Sequence, residues 1–206
     1  MSYTPRNPGE EIPACNGFMV QVTGAPGTVG SLTIPASARI HGSQEWYKES
    51  DYPVVRLFAI DQANQAFQEC QVRFNPAATR KFDMEFDGRF LPGFAPLFYT
   101  LWQREKLAVN SLPANSGDIQ IPLYFKKANG SLYRIEAQIK GDLNATVSLV
   151  DKQSGDITNL EKDPDYEFTA SDDDLTCRFA LNFESKGVIK PPGYTPEVFC
   201  NGRYVH

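Results

Sequence analysis

Three stretches of this chain alternate apolar and polar residues so regularly that only strands with one buried face accommodate them. Residues 118–126 place Ile119, Ile121, Leu123 and Phe125 on one side. Residues 132–140 place Tyr133, Ile135, Ala137 and Ile139 opposite Arg134, Glu136, Gln138 and Lys140. Residues 175–183 place Cys177, Phe179, Leu181 and Phe183 opposite Thr176, Arg178, Ala180 and Asn182. A side-chain period of two is the strand period, and one apolar face means a sheet with one side packed and one side wet. No long 3.6-residue periodicity competes with it. The expected fold is therefore all-β: an antiparallel β-sandwich, jelly-roll-like, with extra N-terminal strands.

The 206 residues suffice for a large core, and 41% hydrophobic residues is too many for a disordered chain. A net charge of −5 argues against nucleic acid as a partner, since phosphate recognition needs a basic stripe. No window is long and apolar enough to span a bilayer as a helix. Met1–Arg6 shows no apolar signal-peptide core.

Residues 1–13 are rich in Pro and Gly and read as a flexible lead-in. Residues 14–50 hold short strand patterns at 17–23, 31–34 and 38–40, expected to pack on or beside the main sheet. Residues 51–185 carry the sandwich, with strands expected at 54–60, 67–74, 96–102, 106–110, 119–125, 132–139, 146–151, 166–169 and 175–183. Asp151-Lys152-Gln153-Ser154-Gly155 reads as a tight turn, its glycine supplying a positive φ. Residues 186–206 begin as a Pro-rich linker and end as the start of a truncated C-terminal segment.

Residue chemistry offers few sites. None of the four cysteines, Cys15, Cys70, Cys177 and Cys200, has a neighbour at metal-ligand spacing, and His41 and His206 lie far apart. Cys70 and Cys177 share the parity of core residues, which leaves two readings open: plain buried thiols, or one bridge across the sandwich in an oxidising compartment. Asp83, Glu85 and Asp87 share a face if their segment is extended, which would suit Ca²⁺, but a solvated acidic face is the simpler reading. Asp172-Asp173-Asp174 reads as a turn cap. His41 has no nucleophile motif to serve. No cofactor or resident metal is expected, and the chain is not expected to be an enzyme. Trp46, Trp102 and Tyr99 are the candidate platforms for stacking on sugar rings, with structural packing as the competing role. Asn129-Gly130-Ser131 and Asn144-Ala145-Thr146 match the N-glycosylation pattern, though turns favour Asn in any case.

The order of motifs carries more information than any one of them. Ile12-Pro13-Ala14-Cys15-Asn16-Gly17-Phe18 is followed by Gly30-Ser31-Leu32-Thr33-Ile34 and Trp46-Tyr47-Lys48. Then come Val72-Arg73-Phe74-Asn75-Pro76, Phe82–Asp87, Ile121-Pro122-Leu123-Tyr124-Phe125, Leu149-Val150-Asp151-Lys152-Gln153-Ser154-Gly155 and Arg178-Phe179-Ala180-Leu181-Asn182-Phe183. Over residues 12–185 this succession resembles the β-sandwich module upstream of the C-terminal sorting domain in type IX secretion cargo proteins of Bacteroidetes. The resemblance implies a non-catalytic accessory or spacer module of a secreted or cell-surface multidomain protein. It implies neighbouring domains of the same polypeptide and the type IX secretion machinery as partners. It supplies no catalytic residues. The alternatives are a carbohydrate-binding module that takes polysaccharide, and an adhesin or partner-binding domain.

Overall fold

The computed structural model describes residues 25, 27–38, 52–93, 96–114 and 116–186, together with the backbone of 197–198. The chain divides into two compact units, Arg6–Ser50 and one that takes in Asp51–His206. In the smaller unit, the described residues contain a 3₁₀ turn at Ala36–Ala38, closed by a bond from the Ala38 N–H to the Pro35 carbonyl. Residues 31–34 form no strand, contrary to the sequence pattern. Leu32 and Ile34 are exposed, so the alternation there buries no face. The strand expected at 17–23 lies outside the described residues; of the one expected at 38–40, Ala38 ends the 3₁₀ turn and residues 39 and 40 lie outside the described residues.

The larger unit is all-β. Its strands are β1 (Val54–Asp61), β2 (Phe67–Phe74), β3 (Gly88–Arg89), β4 (Leu97–Trp102), β5 (Glu105–Leu112) and β6 (Ile119–Lys126). They continue as β7 (Leu132–Lys140), β8 (Ala145–Asp151), β9 (Ile157–Asn159), β10 (Asp165–Thr169), β11 (Phe179–Ser185) and β12 (Glu197–Val198). Hydrogen bonding joins them in the order β10-β7-β1-β2-β5-β4-β6-β11-β8-β9, with β3 added to β5 and β12 added in parallel to β6. Every pair on the main path is antiparallel except β2–β5. That parallel pair departs from the expected antiparallel sheet. The burial of β5 explains it: Leu107 through Leu112 are all buried, where a half-wet antiparallel strand would alternate.

β5 is shared by both halves of the sheet. Leu107 partners Thr100 on β4 and Arg89 on β3. Val109 partners Gln71 on β2 and Gly88 on β3. A strand has two edges, so β4 and β2 occupy successive stretches of one edge while β3 takes the other. From this fork the sheet runs as β2-β1-β7-β10 in one direction and as β4-β6-β11-β8-β9 in the other.

The two halves face each other, so the sheet is barrel-like and nearly closed. Phe74 of β2 meets Phe183 of β11 edge-on at 4.9 Å between ring centroids. Phe125 of β6 meets Tyr133 of β7 at 5.1 Å and Phe168 of β10 at 5.0 Å. Phe168 also meets Phe179 of β11 at 4.8 Å. Edge-to-face rings at these spacings add to the burial that the aromatic residues already provide. The core is completed by inward residues such as Leu57, Val72, Ile121, Leu123, Ile135, Val147, Leu149 and Leu181.

Two hairpins repeat one turn design. In each, an inward Asp ends the first strand, Asp61 in β1 and Asp151 in β8. The Asp N–H donates to the carbonyl five residues on, Ala66 or Asp156. The Asp carbonyl accepts from the residue four on, Gln65 or Gly155, and the carboxylate accepts from the N–H two on, Ala63 or Gln153. The fifth residue takes a left-handed φ, 59° at Gln65 and 86° at Gly155. Glycine adopts this conformation freely, whereas Gln65 is strained there.

Asp61 is fully buried and also accepts the Gly130 N–H. Gly130 is packed so tightly that a Cβ there would stand 2.3 Å from Asp61 Oδ1. Gly130→Ala is expected to push the carboxylate off its N–H donors and to destabilise the fold by about 1–3 kcal/mol, the scale for a buried acceptor torn from its partners. Urea unfolding of the variant beside the parent measures this.

Candidate functional site

The aromatic candidates divide. Trp46 lies outside the described residues. Trp102 is 1% exposed, its ring sits in the core, and its Nε1–H donates to the Arg80 carbonyl at 2.8 Å. Tyr99 is 3% exposed and stacks on Tyr124 with centroids 4.5 Å apart and planes 7° from parallel. Its ring also meets Phe90 at 4.6 Å. Trp102 and Tyr99 thus present no ring face to solvent in this structure, and a sugar cannot stack on them as they stand. Burial raises the Tyr99 phenol above its usual range, and Tyr124 and Cys177 add to the shift.

Cys70 and Cys177 are separate thiols, not bridged to each other. Cys70 faces the core from β2, where burial raises its thiol well above the usual range, with the charge of Glu69 acting in the same direction. Cys177 does not share that position. Strand pairing in β11 begins only at Phe179, so Cys177 falls in the preceding turn and the inward parity assigned from sequence does not reach it.

Asp83, Glu85 and Asp87 do not share a face, because residues 84–86 form a turn rather than an extended run. Met84 is exposed at its tip. Both oxygens of Asp87 and one of Asp83 are engaged by backbone. Asp83 Oδ1 accepts the Glu85 N–H, and Asp87 accepts the Asp83 N–H at 2.8 Å and the Ser111 N–H at 2.7 Å. Ser111 Oγ donates to the Phe86 carbonyl, so the loop is pinned to β5 twice. Burial pushes the Asp87 carboxyl up to about 6; the two N–H bonds oppose the shift, and the charges of Asp83 and Glu105 add to it. Among the described residues no group of three or more His, Cys, Asp and Glu could hold a metal ion.

The densest polar constellation was not singled out from sequence. Arg178, 5% exposed, reaches into the core beside Asp151, which is 1% exposed. Its Nε and Nη2 donate to the Asp151 carboxylate, Nη2 to Oδ2 at 2.6 Å. Its Nη1 donates to the Thr169 carbonyl at 2.7 Å and to Asp174 Oδ2 at 2.9 Å. The guanidinium also lies 4.7 Å from the Phe168 ring centre and 5.1 Å from that of Phe179. Tyr166 adds its hydroxyl to Asp151 Oδ2 at 3.0 Å, and Ser171 and Gln153 donate to Asp174. Asp174 thus does more than cap a turn. It helps hold the 170–178 loop to the β8–β9 hairpin.

Alternation had placed Arg178 on the wet side, opposite Phe179. The missed signal was Asp151, which shares inward parity with Val147 and Leu149. A carboxylate at an inward position needs a buried partner. Burial by itself would raise Asp151, but hydrogen bonds from Arg178, the Gln153 N–H and Tyr166, together with the Arg178 charge, hold it below the usual range. Asp174 is likewise held low against its burial.

The family model for the domain of unknown function DUF8693 matches residues 2–183. The chain belongs to this family. Comparison with curated proteins and with solved structures yields no match. Among the described residues, no helix of this family member is long and apolar enough to cross a membrane.

Arg178→Met would strand the Asp151 charge in the core. The expected loss is about 3–5 kcal/mol, the range for breaking a buried pair by removing one partner. Denaturant unfolding checks it, and pairing the change with Asp151→Leu should return part of the loss. The acid limb carries its own sign. Asp151 and Asp174 sit below their unfolded values, so their contribution is full above the ordinary carboxylate pKa and fades as pH falls through the depressed ones.

Asp87 acts in the opposite direction. Its folded pKa is raised to about 6, so its contribution to stability grows as pH falls through 6 toward the unfolded value. Asp87→Asn would turn an amide N–H toward a backbone N–H and is expected to destabilise at neutral pH. The gap between parent and variant is expected to widen between roughly pH 7 and pH 4.5, by about 2 kcal/mol. A pH series of unfolding curves reads both effects.

Proposed function

We propose that this chain is a non-catalytic, jelly-roll-like β-sandwich module of a secreted or surface-attached bacterial protein, acting as a rigid spacer beside other domains of the same polypeptide. The observation that carries the reading is where the interior charges go. Asp151, Arg178 and Asp174 close on one another and on loop backbone. Asp61 closes on the Ala63 and Gly130 N–H groups, and Asp87 on those of Asp83 and Ser111. Each buried carboxylate fastens a loop to the sheet, which makes the module stiff. A catalytic carboxylate needs instead to face a substrate atom.

The secretion route rests on the order of sequence motifs. On that reading the module precedes a type IX sorting domain, and the type IX machinery is its export partner. The rival is a carbohydrate-binding module. The burial of Trp102 and Tyr99 weighs against it, since a sugar platform needs an open ring face.

Fractionation of the source bacterium tests the location. The protein is expected in the medium or on the surface, and inside the cell envelope when the type IX channel is deleted. A protein that stays in the cytoplasm overturns the export reading. Affinity electrophoresis through gels cast with soluble polysaccharides tests the rival. Unchanged mobility is expected; retardation that Trp46→Ala abolishes would make the chain a glycan binder.

A further inference from the structure

We infer that the fork at β5 encloses a buried hydration site held by Asn110. Asn110 is 1% exposed, and neither its Oδ1 nor its Nδ2 has a hydrogen-bond partner among the described residues. It stands in register with Val72 on β2. Partners in register put their side chains on the same side of a sheet, so the amide shares the side of Val72, a core residue. The next matched pair but one, Phe74 with Leu112, has both members in the core, consistent with that orientation.

Buried amides almost always find partners, and the protein groups around this junction are already engaged. Thr100 Oγ1 donates to the Leu107 carbonyl, and Ser111 Oγ donates to the Phe86 carbonyl. The Gln71 amide bonds Glu69 through its nitrogen and Arg73 through its oxygen. Gln71 and Ser111 alternate with Val72 and Asn110, so they lie on the other face of the sheet from the Asn110 amide and offer it no partner.

The break in the β5 ladder lies beside Asn110. β4 pairs with β5 only as far as Leu107, and β2 joins the same edge only from Val109. Ala108, between them, has no strand partner on that edge and carries one methyl group. That break in the ladder puts the smallest side chain of β5 two residues from Asn110. An amide needs both a donor and an acceptor there. Water is both, and it is small enough for a site that is closed to solvent. Internal waters in proteins characteristically satisfy buried polar groups of this kind.

A crystal structure at a resolution that orders solvent is the direct test. The expected result is a water within about 3.2 Å of an Asn110 amide atom. Water-selective nuclear Overhauser spectra of the labelled protein give an independent reading, with a long-lived cross-peak expected at the Asn110 side-chain amide protons. In Asn110→Leu, which keeps the branching of the side chain but removes both hydrogen-bonding groups, the water is expected to be expelled. An Asn110 amide with no water in hydrogen-bond reach and no water cross-peak overturns the proposal. So does a water that keeps its place in Asn110→Leu, because Asn110 would then not be what holds it. The measurements on the parent protein stand even if the variant does not fold.

Discussion

The larger unit depends on one strand having only two edges. β5 gives the first part of one edge to β4, the last part of the same edge to β2, and the opposite edge to β3. Everything on the β2 side of the sheet is reached through that sharing, and so is everything on the β4 side. The packing of Phe74 on Phe183 and of Phe168 on Phe179 follows from it. Hydrophobic burial drives the closure, but the fork determines which residues meet. The heavy burial of β5 belongs to the same constraint: a strand with neighbours on both edges and chain over its faces has no wet side.

The sequence reading succeeded where a strand has one wet face. β1, β7 and β8 alternate cleanly, β2 and β6 do so apart from a buried run of three, and the boundaries of all five are legible to within a residue. It failed where alternation stops being the rule. β5 is buried from Leu107 to its end, so its parallel partner left no trace in its pattern. β3 and β9 are only two and three residues long, too short for any period to show. Leu175–Arg178 looked like the start of a strand because its residues alternate, yet pairing begins at Phe179. Periodicity reports an available face, not whether a neighbour is there to use it; residues 31–34 make the same point in the smaller unit.

The polar sites were hidden for a different reason. Arg178 and Asp151 are 27 residues apart in sequence, and their meeting depends on β8 and β11 being neighbours. Only the parity of Asp151 and Asp61 gave a local hint. These two aspartates also show how one turn design is met by two different partners. Asp151 is neutralised by a guanidinium, whereas Asp61 is satisfied by backbone N–H groups, including that of a glycine pressed against it. The same geometry therefore has two chemistries, and each depends on a different loop arriving late in the chain.

That dependence on late-arriving segments bears on how the chain folds. β1 pairs with β7, whose residues are nearly eighty positions away, and Asp61 with its partner Tyr133 shows the shortest reach of that ladder. β10 must then find β7, and β2 must wait for β5. The β2–β5, β4–β5 and β4–β6 pairings use only residues up to 126, but β8, β10 and β11 all lie in the last third of the chain, so both ends of the sheet wait for them, and topologies of such high contact order fold slowly. A polypeptide emerging from a ribosome would thus remain loose until β11 is available to close the second half of the sheet. Such a chain keeps a long interval in which chaperones and proteases can still reach its unpaired strand edges.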